Sequence, residues 1–195
     1  MKTPLIIPIG RSKSGKDELY KIVKEYYPDY EVVRFSFADY LYELTAETLG
    51  ISLEEIRKEK EKYRHYLIFG GMFARKINPN IWVHKLEDVI SQYILSNKRY
   101  LDKTIFVVTD CRFESELDSL CYIDGVEPLT VSIRCSKETL ESRGYNFTNY
   151  NHESETLVDN ITTVGCSFVI PNNSSFEKYR DEVINTVGEI LEICK

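Results

Sequence analysis

The segment GRSKSGKD constrains the fold of this chain more than any other stretch. Gly10 and Gly15 are five residues apart and Lys16 follows, which is the spacing of a phosphate-binding loop, G-x-x-x-x-G-K. The apolar run Leu5–Ile9 precedes the loop and predicts a strand, whereas the residues after it place apolar side chains at helical spacing. A glycine turn between a strand and a helix points backbone N–H groups at an anion. The motif therefore predicts an α/β protein that binds phosphate where its first helix begins.

The loop spacing also assigns roles to single residues. Gly10, Lys13, Ser14 and Gly15 are expected to contact the phosphates of a bound nucleotide, and Lys16 to bridge the outer ones. The alternative is an ordinary glycine turn with a solvated Lys16. The strand before the loop and the helix after it favour phosphate binding.

Further apolar runs extend the pattern of strands. They predict strands at residues 31–37, 105–109, 129–133 and 167–170, with helical segments between them and a last helix over residues 174–195. Strands that alternate with helices predict a parallel sheet covered on both faces, with ligands at the carboxyl ends of the strands. A chain of 195 residues fits one such domain.

Composition argues against several classes of partner. The net charge of −6 does not favour a nucleic-acid groove. Five scattered cysteines without a C-x-x-C pair favour neither zinc nor a disulfide framework, and indicate reduced thiols in the cytoplasm. The apolar start is too short for a signal peptide or a membrane span. We therefore expect a cytoplasmic protein that acts on small molecules, without nucleic acid or membrane.

Two carboxylates are candidates for a magnesium site. Asp17 stands where a Ser or Thr normally follows the lysine of such a loop, and Asp110 ends the apolar run 105–109. Magnesium prefers oxygen ligands and keeps several waters, so both could hold it directly or through water. Asp17 could also serve as a favourable charge at a helix start, and Asp110 could cap the segment that follows it.

Several arginines lie near predicted strand ends or between elements, where anions bind. Each could be a solvated surface residue, but phosphoryl transfer needs several cations around converging negative charge. Arg143 precedes Gly144 and a polar stretch, which predicts a mobile lid that swings a cation over the donor phosphates. The alternative for Arg143 is a surface ion pair with Glu138 or Glu141. The arginines are Arg64, Arg75, Arg112, Arg134 and Arg143.

Four segments together resemble two related kinase groups: the phage-type deoxynucleoside monophosphate kinases and the animal-type phosphomevalonate kinases. Both groups carry S-G-K-D in the loop, so Asp17 matches them. The similarity runs in order through most of the chain. The segments are GRSKSGKD, YRHYLIFGGMFARKINPNIW, TDCRFESEL and RGYNFTNYNHESE.

The resemblance implies a nucleoside monophosphate kinase fold in a single domain, residues 1–195. It implies a five-stranded parallel sheet, a helical part at about residues 37–82 that binds the acceptor, and a lid at about 134–155. ATP and Mg²⁺ are the implied cofactors, with Lys16, Asp17 and Arg143 taking part in transfer. The acceptor would be bound by Asp39, Arg64, Arg75, Trp82, Arg112 and Glu155.

The resemblance leaves the acceptor open. DCRFESEL is nearer to the phage pattern D-x-R-F-x-x-E, and the aromatic side chains of the acceptor part could stack on a base or simply pack in the core. Tyr42 stands where both groups usually have a lysine. We expect transfer from ATP to a deoxynucleoside monophosphate. The alternatives are a phosphomevalonate kinase, a nucleotide-binding module without activity and a GTPase-like switch, the last disfavoured because N-K-x-D is absent. A homodimer is left open.

Overall fold

The computed structural model describes residues 2–147, 158 and 165–195. Its strands are β1 (Thr3–Ile9), β2 (Glu31–Phe35), β3 (Thr104–Val108), β4 (Val126–Arg134) and β5 (Phe168–Pro171). They form one sheet in the order β2-β3-β1-β4-β5, and all neighbours are parallel. Five loops therefore leave the same edge of the sheet, and the loop after β1 lies at the centre of that edge.

Helices cover both faces of this sheet. On one face, α1 and α8 pack on Ile6 of β1, and on the other α5 and α6 pack on Leu5 and Ile7. This alternation follows from the two-residue period of a strand, and a central strand buried on both faces must be apolar throughout. The described helices are α1 (Lys16–Tyr26), α2 (Asp39–Leu49), α3 (Leu53–Lys58), α4 (Lys60–Ile77), α5 (Ile81–Ser96), α6 (Glu114–Cys121), α7 (Lys137–Ser142) and α8 (Phe176–Ile193).

The helices α2, α3 and α4 form a small unit with its own apolar contacts. Ala46, Ile56, Tyr63 and Leu67 are buried against one another there. The unit lies within the predicted acceptor part, residues 37–82. Of the predicted lid, residues 134–147 are described, and the remainder through Glu155 lies outside the described residues.

The predicted fold class is confirmed, and the differences concern where elements begin and end. The strand β1 begins at Thr3 rather than Leu5, and α8 begins at Phe176 because Ser175 caps it. The charged segment after Ser52 is divided at Glu59 into α3 and α4. None of the described helices is long and apolar enough to cross a membrane.

Candidate active site

The loop between β1 and α1 has the backbone that its glycines predict. Gly15 has a φ of 112° and Lys13 a φ of 62°, both in the left-handed region. The ammonium group of Lys16 donates to the backbone oxygens of Gly10 at 2.7 Å and Arg11 at 2.9 Å. Lys16 is thus folded over the loop, with its positive charge held at the mouth where a phosphate would enter.

Asn172, which follows β5, and Tyr179 of α8 support the loop. The amide of Asn172 donates to the backbone oxygen of Ser14 at 2.8 Å, and the hydroxyl of Tyr179 to that of Gly15 at 2.9 Å. Burial raises the pKa of Tyr179, which keeps its hydroxyl a donor. A Cβ on Gly15 would lie only 2.7 Å from the Asn172 amide nitrogen. Only glycine fits this close contact.

Arg143 contacts both Asn172 and the loop itself. Its guanidinium donates to the backbone oxygen of Asn172 at 3.1 Å, to its side-chain oxygen at 3.0 Å and to the backbone oxygen of Lys13 at 3.3 Å. Cys135 lies beside it, and burial raises the pKa of that thiol, so the S–H donates to the Asn172 carbonyl at 3.3 Å. Arg143 is therefore bound to the loop and its support rather than to Glu138 or Glu141.

A cleft of about 510 Å³ separates the loop from the α2–α3–α4 unit. Its walls are strongly charged, as expected of a site for phosphorylated molecules. The charged residues among those described are basic Lys13, Lys16, Arg34, Arg57, Lys60 and Arg112, and acidic Asp17, Glu18, Asp39 and Asp110. Sequence reasoning missed Arg34, Arg57 and Lys60.

The carboxylate of Asp110 holds the turn between β2 and α2. One oxygen accepts from the N–H of Phe37 at 2.8 Å, and the other from the hydroxyl of Ser36 at 2.7 Å and the N–H of Ala38 at 3.0 Å. A carboxylate oxygen has two lone pairs, so the oxygen facing Phe37 keeps one available. That single lone pair fits one contact to a metal ion or to a metal-bound water.

Asp17 is the other predicted magnesium ligand, and it is exposed on the cleft wall in the first turn of α1. Among the described residues, no three His, Cys, Asp or Glu side chains cluster closely enough to hold a metal. A magnesium ion bound mainly by nucleotide phosphates and water needs only one or two protein carboxylates. Asp17 and Asp110 fit that arrangement.

Arg34, Asp39 and Arg57 form an ion cluster on the opposite wall. One guanidinium nitrogen of Arg34 lies 2.8 Å and 2.7 Å from the two oxygens of Asp39, and Arg57 lies 3.1 Å from the first of them. The second terminal nitrogen of Arg34 donates to the hydroxyl of Thr109 at 3.2 Å. Close by, the ammonium of Lys60 lies 5.9 Å from the centre of the Tyr42 ring. These groups give the wall a positive surface with one central carboxylate.

A partly buried ion pair connects α4 to α6. Arg75 lies 3.2 Å from one oxygen of Glu116, whose other oxygen accepts from the N–H groups of Arg112 and Phe113 at 2.9 Å and 3.2 Å. Glu116 is only 3% exposed, and this burial raises its pKa to about 6. The pair fixes the start of α6 and hence the backbone of Arg112 at the cleft. The sequence pattern D-x-R-F-x-x-E contained Glu116, but its partner was not predictable from it.

The remaining predicted acceptor residues occupy different surroundings. Trp82 is buried and donates to the backbone oxygen of Gly71 at 3.3 Å, so it packs α5 against α4. Arg64 pairs with Glu61 on its own helix at 3.1 Å. Glu155 lies outside the described residues. Arg134, a candidate arginine that was not in the acceptor set, lies behind the loop, near Gly10 and Ser14.

A second cavity, of about 380 Å³, lies on the α8 side of the loop. Phe176, half exposed, forms one wall, and Arg143 and Asn172 form another. An exposed aromatic ring beside a cation can pack against a planar group. This cavity adjoins the phosphate loop, since Lys13 and Gly15 also line it.

Three solved kinase structures share the fold of this chain. Dephospho-CoA kinase from Campylobacter jejuni matches with a TM-score of 0.56 at 17% identity, covering 100% of both chains. Shikimate kinase from Aquifex aeolicus matches with a TM-score of 0.51 at 13% identity, covering 95% of this chain and 96% of that one. A gluconokinase from Sinorhizobium meliloti matches with a TM-score of 0.51 at 15% identity, covering 98% of this chain and 95% of that one.

The chain has the fold of these P-loop kinases. No protein-family model matches it. At these identities the likeness is one of fold. The charged side chains of the cleft, rather than the likeness, carry the argument about substrates.

Proposed function

We propose that this protein is an ATP-dependent kinase that transfers the γ-phosphoryl group to a deoxynucleoside monophosphate and so forms the diphosphate. The observation that carries the proposal is the cleft itself, which has a phosphate loop on one wall and guanidinium groups on the other. Two phosphorylated molecules must meet in such a site, and cations on both sides offset their repulsion.

On the donor side, the triphosphate would lie along the loop, with Lys16 exchanging its contacts to Gly10 and Arg11 for phosphate oxygens. The base would extend into the second cavity, against Phe176 and the face of Arg143. Magnesium, when bound with the nucleotide, neutralises charge on the phosphates. Asp17 and Asp110 would hold it, directly or through water.

On the acceptor side, a phosphate oxygen is already an anion, so transfer to it needs little help from a base. The work of the protein is to position the two phosphates and to neutralise their charge. Arg112 would contact the substrates in this cleft, which it lines. Arg64, Arg75, Trp82 and Glu155 remain predicted acceptor residues, among which Arg75 would act through Glu116.

The deoxynucleotide is favoured by the DCRFESEL segment and by the aromatic side chains of the α2 region. Tyr40 packs 6.1 Å from Trp82, and a cavity of about 240 Å³ lies beside them. Such a protein would work in the cytoplasm, in a host cell if a phage encodes it, on small molecules alone. A homodimer is compatible with this function.

A transfer assay with a panel of acceptors tests the proposal. The purified protein is incubated with ATP, Mg²⁺ and each deoxynucleoside monophosphate, its ribose counterpart, or mevalonate 5-phosphate, and the products are separated. We expect ADP to form together with a deoxynucleoside diphosphate. Dominant formation of mevalonate 5-diphosphate would assign the other acceptor. ATP binding without transfer to any acceptor would identify a nucleotide-binding module instead.

A further inference from the structure

The ion cluster on the acceptor wall is partly exposed rather than buried. Asp39, Arg34 and Arg57 all line the open cleft, and the side chains of Asp39 and Arg34 are each 31% exposed. Exposed ion pairs contribute little to stability because water solvates both partners. The cluster is therefore not required to hold the α2–α3–α4 unit together, which has its own apolar contacts.

The two arginines are held in place independently of each other. Arg34 comes from the strand β2, and its second terminal nitrogen is anchored on Thr109. Arg57 comes from the short helix α3, whose start is fixed by the Ser52 cap. Both point a guanidinium nitrogen at the same carboxylate, from different elements. Two guanidinium groups that converge on one point form a binding site for an anion.

We propose that Asp39 is an internal counter-ion, and that a phosphate group of the acceptor displaces it and binds Arg34 and Arg57 in its place. This inference rests on the proposed kinase function and names the two guanidinium groups that bind the acceptor's phosphate. A phosphate carries more charge than a carboxylate and offers three oxygens, so it competes well for both guanidinium groups. Lys60 and Arg112, on the same cleft, add to the field that draws it in.

The alternative role for a carboxylate at this point is that of a base for a hydroxyl acceptor. The two roles predict opposite effects of Asp39→Asn. A counter-ion competes with the substrate, so its removal lowers the KM for the phosphorylated acceptor, by about twofold to fivefold for an exposed ion pair. A base assists proton transfer, so its removal lowers kcat by about 10²–10⁴-fold.

The experiment compares wild type, Asp39→Asn, Arg57→Ala and, as a control on the same charged segment, Lys62→Ala. We expect Arg57→Ala to raise the KM for the acceptor by about tenfold to a hundredfold, with a much smaller change in the KM for ATP. Lys62 lies on α4 and pairs with Glu59, which precedes that helix. The Lys62→Ala substitution should leave both KM values as in wild type. An Asp39→Asn protein with a higher acceptor KM, or with a large loss of kcat, overturns the proposal.

A binding measurement separates this inference from the proposed function. Inorganic phosphate is titrated calorimetrically into each protein with the donor loop saturated by ADP. Tighter binding to Asp39→Asn than to wild type, and loss of binding in Arg57→Ala, support the counter-ion. Equal binding to all variants overturns it. Failure of the wild type to transfer phosphate in the acceptor panel, with phosphate binding as expected, contradicts the kinase function and leaves the anion site standing.

Discussion

The guanidinium group of Arg143 binds both the backbone and the side-chain oxygen of Asn172, and the amide of Asn172 binds the backbone of Ser14 in the phosphate loop. Arg143 therefore acts on the loop through Asn172 as well as through its direct contact to Lys13. In the predicted lid role, the same guanidinium would contact phosphates directly. The contacts through Asn172 give Arg143 a second role, the positioning of the loop, which can be measured separately.

We expect Arg143→Lys to lower turnover by about tenfold to a hundredfold, because an ammonium cannot make the parallel contacts of a planar guanidinium. If Arg143 acts through Asn172, the losses in Arg143→Lys and Asn172→Ala do not add in the double variant. Steady-state kinetics measures both effects, and the exposed Arg99→Lys is the control. Wild-type turnover in Arg143→Lys, or strictly additive losses, would contradict this role.

Lys16→Ala should abolish most transfer without unfolding the protein. Lys16 is the loop side chain placed to follow the charge of the migrating phosphoryl group, and such a contact is worth about 10²–10³ in rate. The rate is measured under saturating ATP and acceptor, and circular dichroism checks the fold. Lys24→Ala, in the last turn of the same helix, serves as the control. A folded Lys16→Ala protein with near-normal turnover would remove Lys16 from the reaction.

Asp17→Asn and Asp110→Asn should each raise the magnesium concentration needed for half-maximal rate, because an amide lacks the charge that a hard cation prefers. Their effects on stability should differ. In Asp110→Asn an amide nitrogen must face one of the donors from residues 36–38, which costs about 1–3 kcal/mol of unfolding free energy. Asp17 is exposed, so its replacement should cost much less.

Magnesium titrations of activity and urea denaturation measure the two effects, with Asp88→Asn on α5 as the control for a lost surface charge. An unchanged magnesium requirement in either variant identifies that residue as a helix-start or turn carboxylate only.

The buried Glu116 predicts a pH dependence of stability. Its pKa rises from an ordinary value of 4.5 to about 6 in the folded protein, so folding opposes its ionisation. The stability linked to this group is present below pH 4.5 and is lost as pH rises through about 6. The loss is on the order of 2 kcal/mol.

Glu116→Gln removes this titration. The free energy of unfolding of the variant minus that of wild type should therefore increase as pH rises from 4.5 to about 6, because only wild type loses stability there. Urea denaturation across this interval measures it, and the exposed Glu114→Gln on the same helix is the control. A constant difference between wild type and Glu116→Gln would show that Glu116 does not titrate in this range.

Much of the fold was predictable because its signals are local. The apolar runs identify the strands, and the glycine spacing identifies the loop, whose shape depends on φ values that glycine adopts easily. The side of the sheet that holds the site followed from the parallel order, since all carboxyl ends share one edge.

The contacts within the site were less predictable because they join distant parts of the chain. Arg57 reaches Asp39, eighteen residues earlier, only because the charged segment is divided at Glu59 and α3 turns toward the cleft. Arg75 and Glu116 are forty-one residues apart. No periodicity specifies such pairs, because they depend on how α3, α4 and α6 pack around the sheet.

The support of the phosphate loop has a consequence for how the chain acquires its activity during synthesis. The loop leaves the ribosome well before Arg143, Asn172 and Tyr179, which hold its backbone, are made. A nascent chain that ends before these residues has the loop motif without its supports. The loop is therefore fully supported only once β5 and α8 have emerged, so an interrupted translation product would carry the motif without the contacts that hold its backbone.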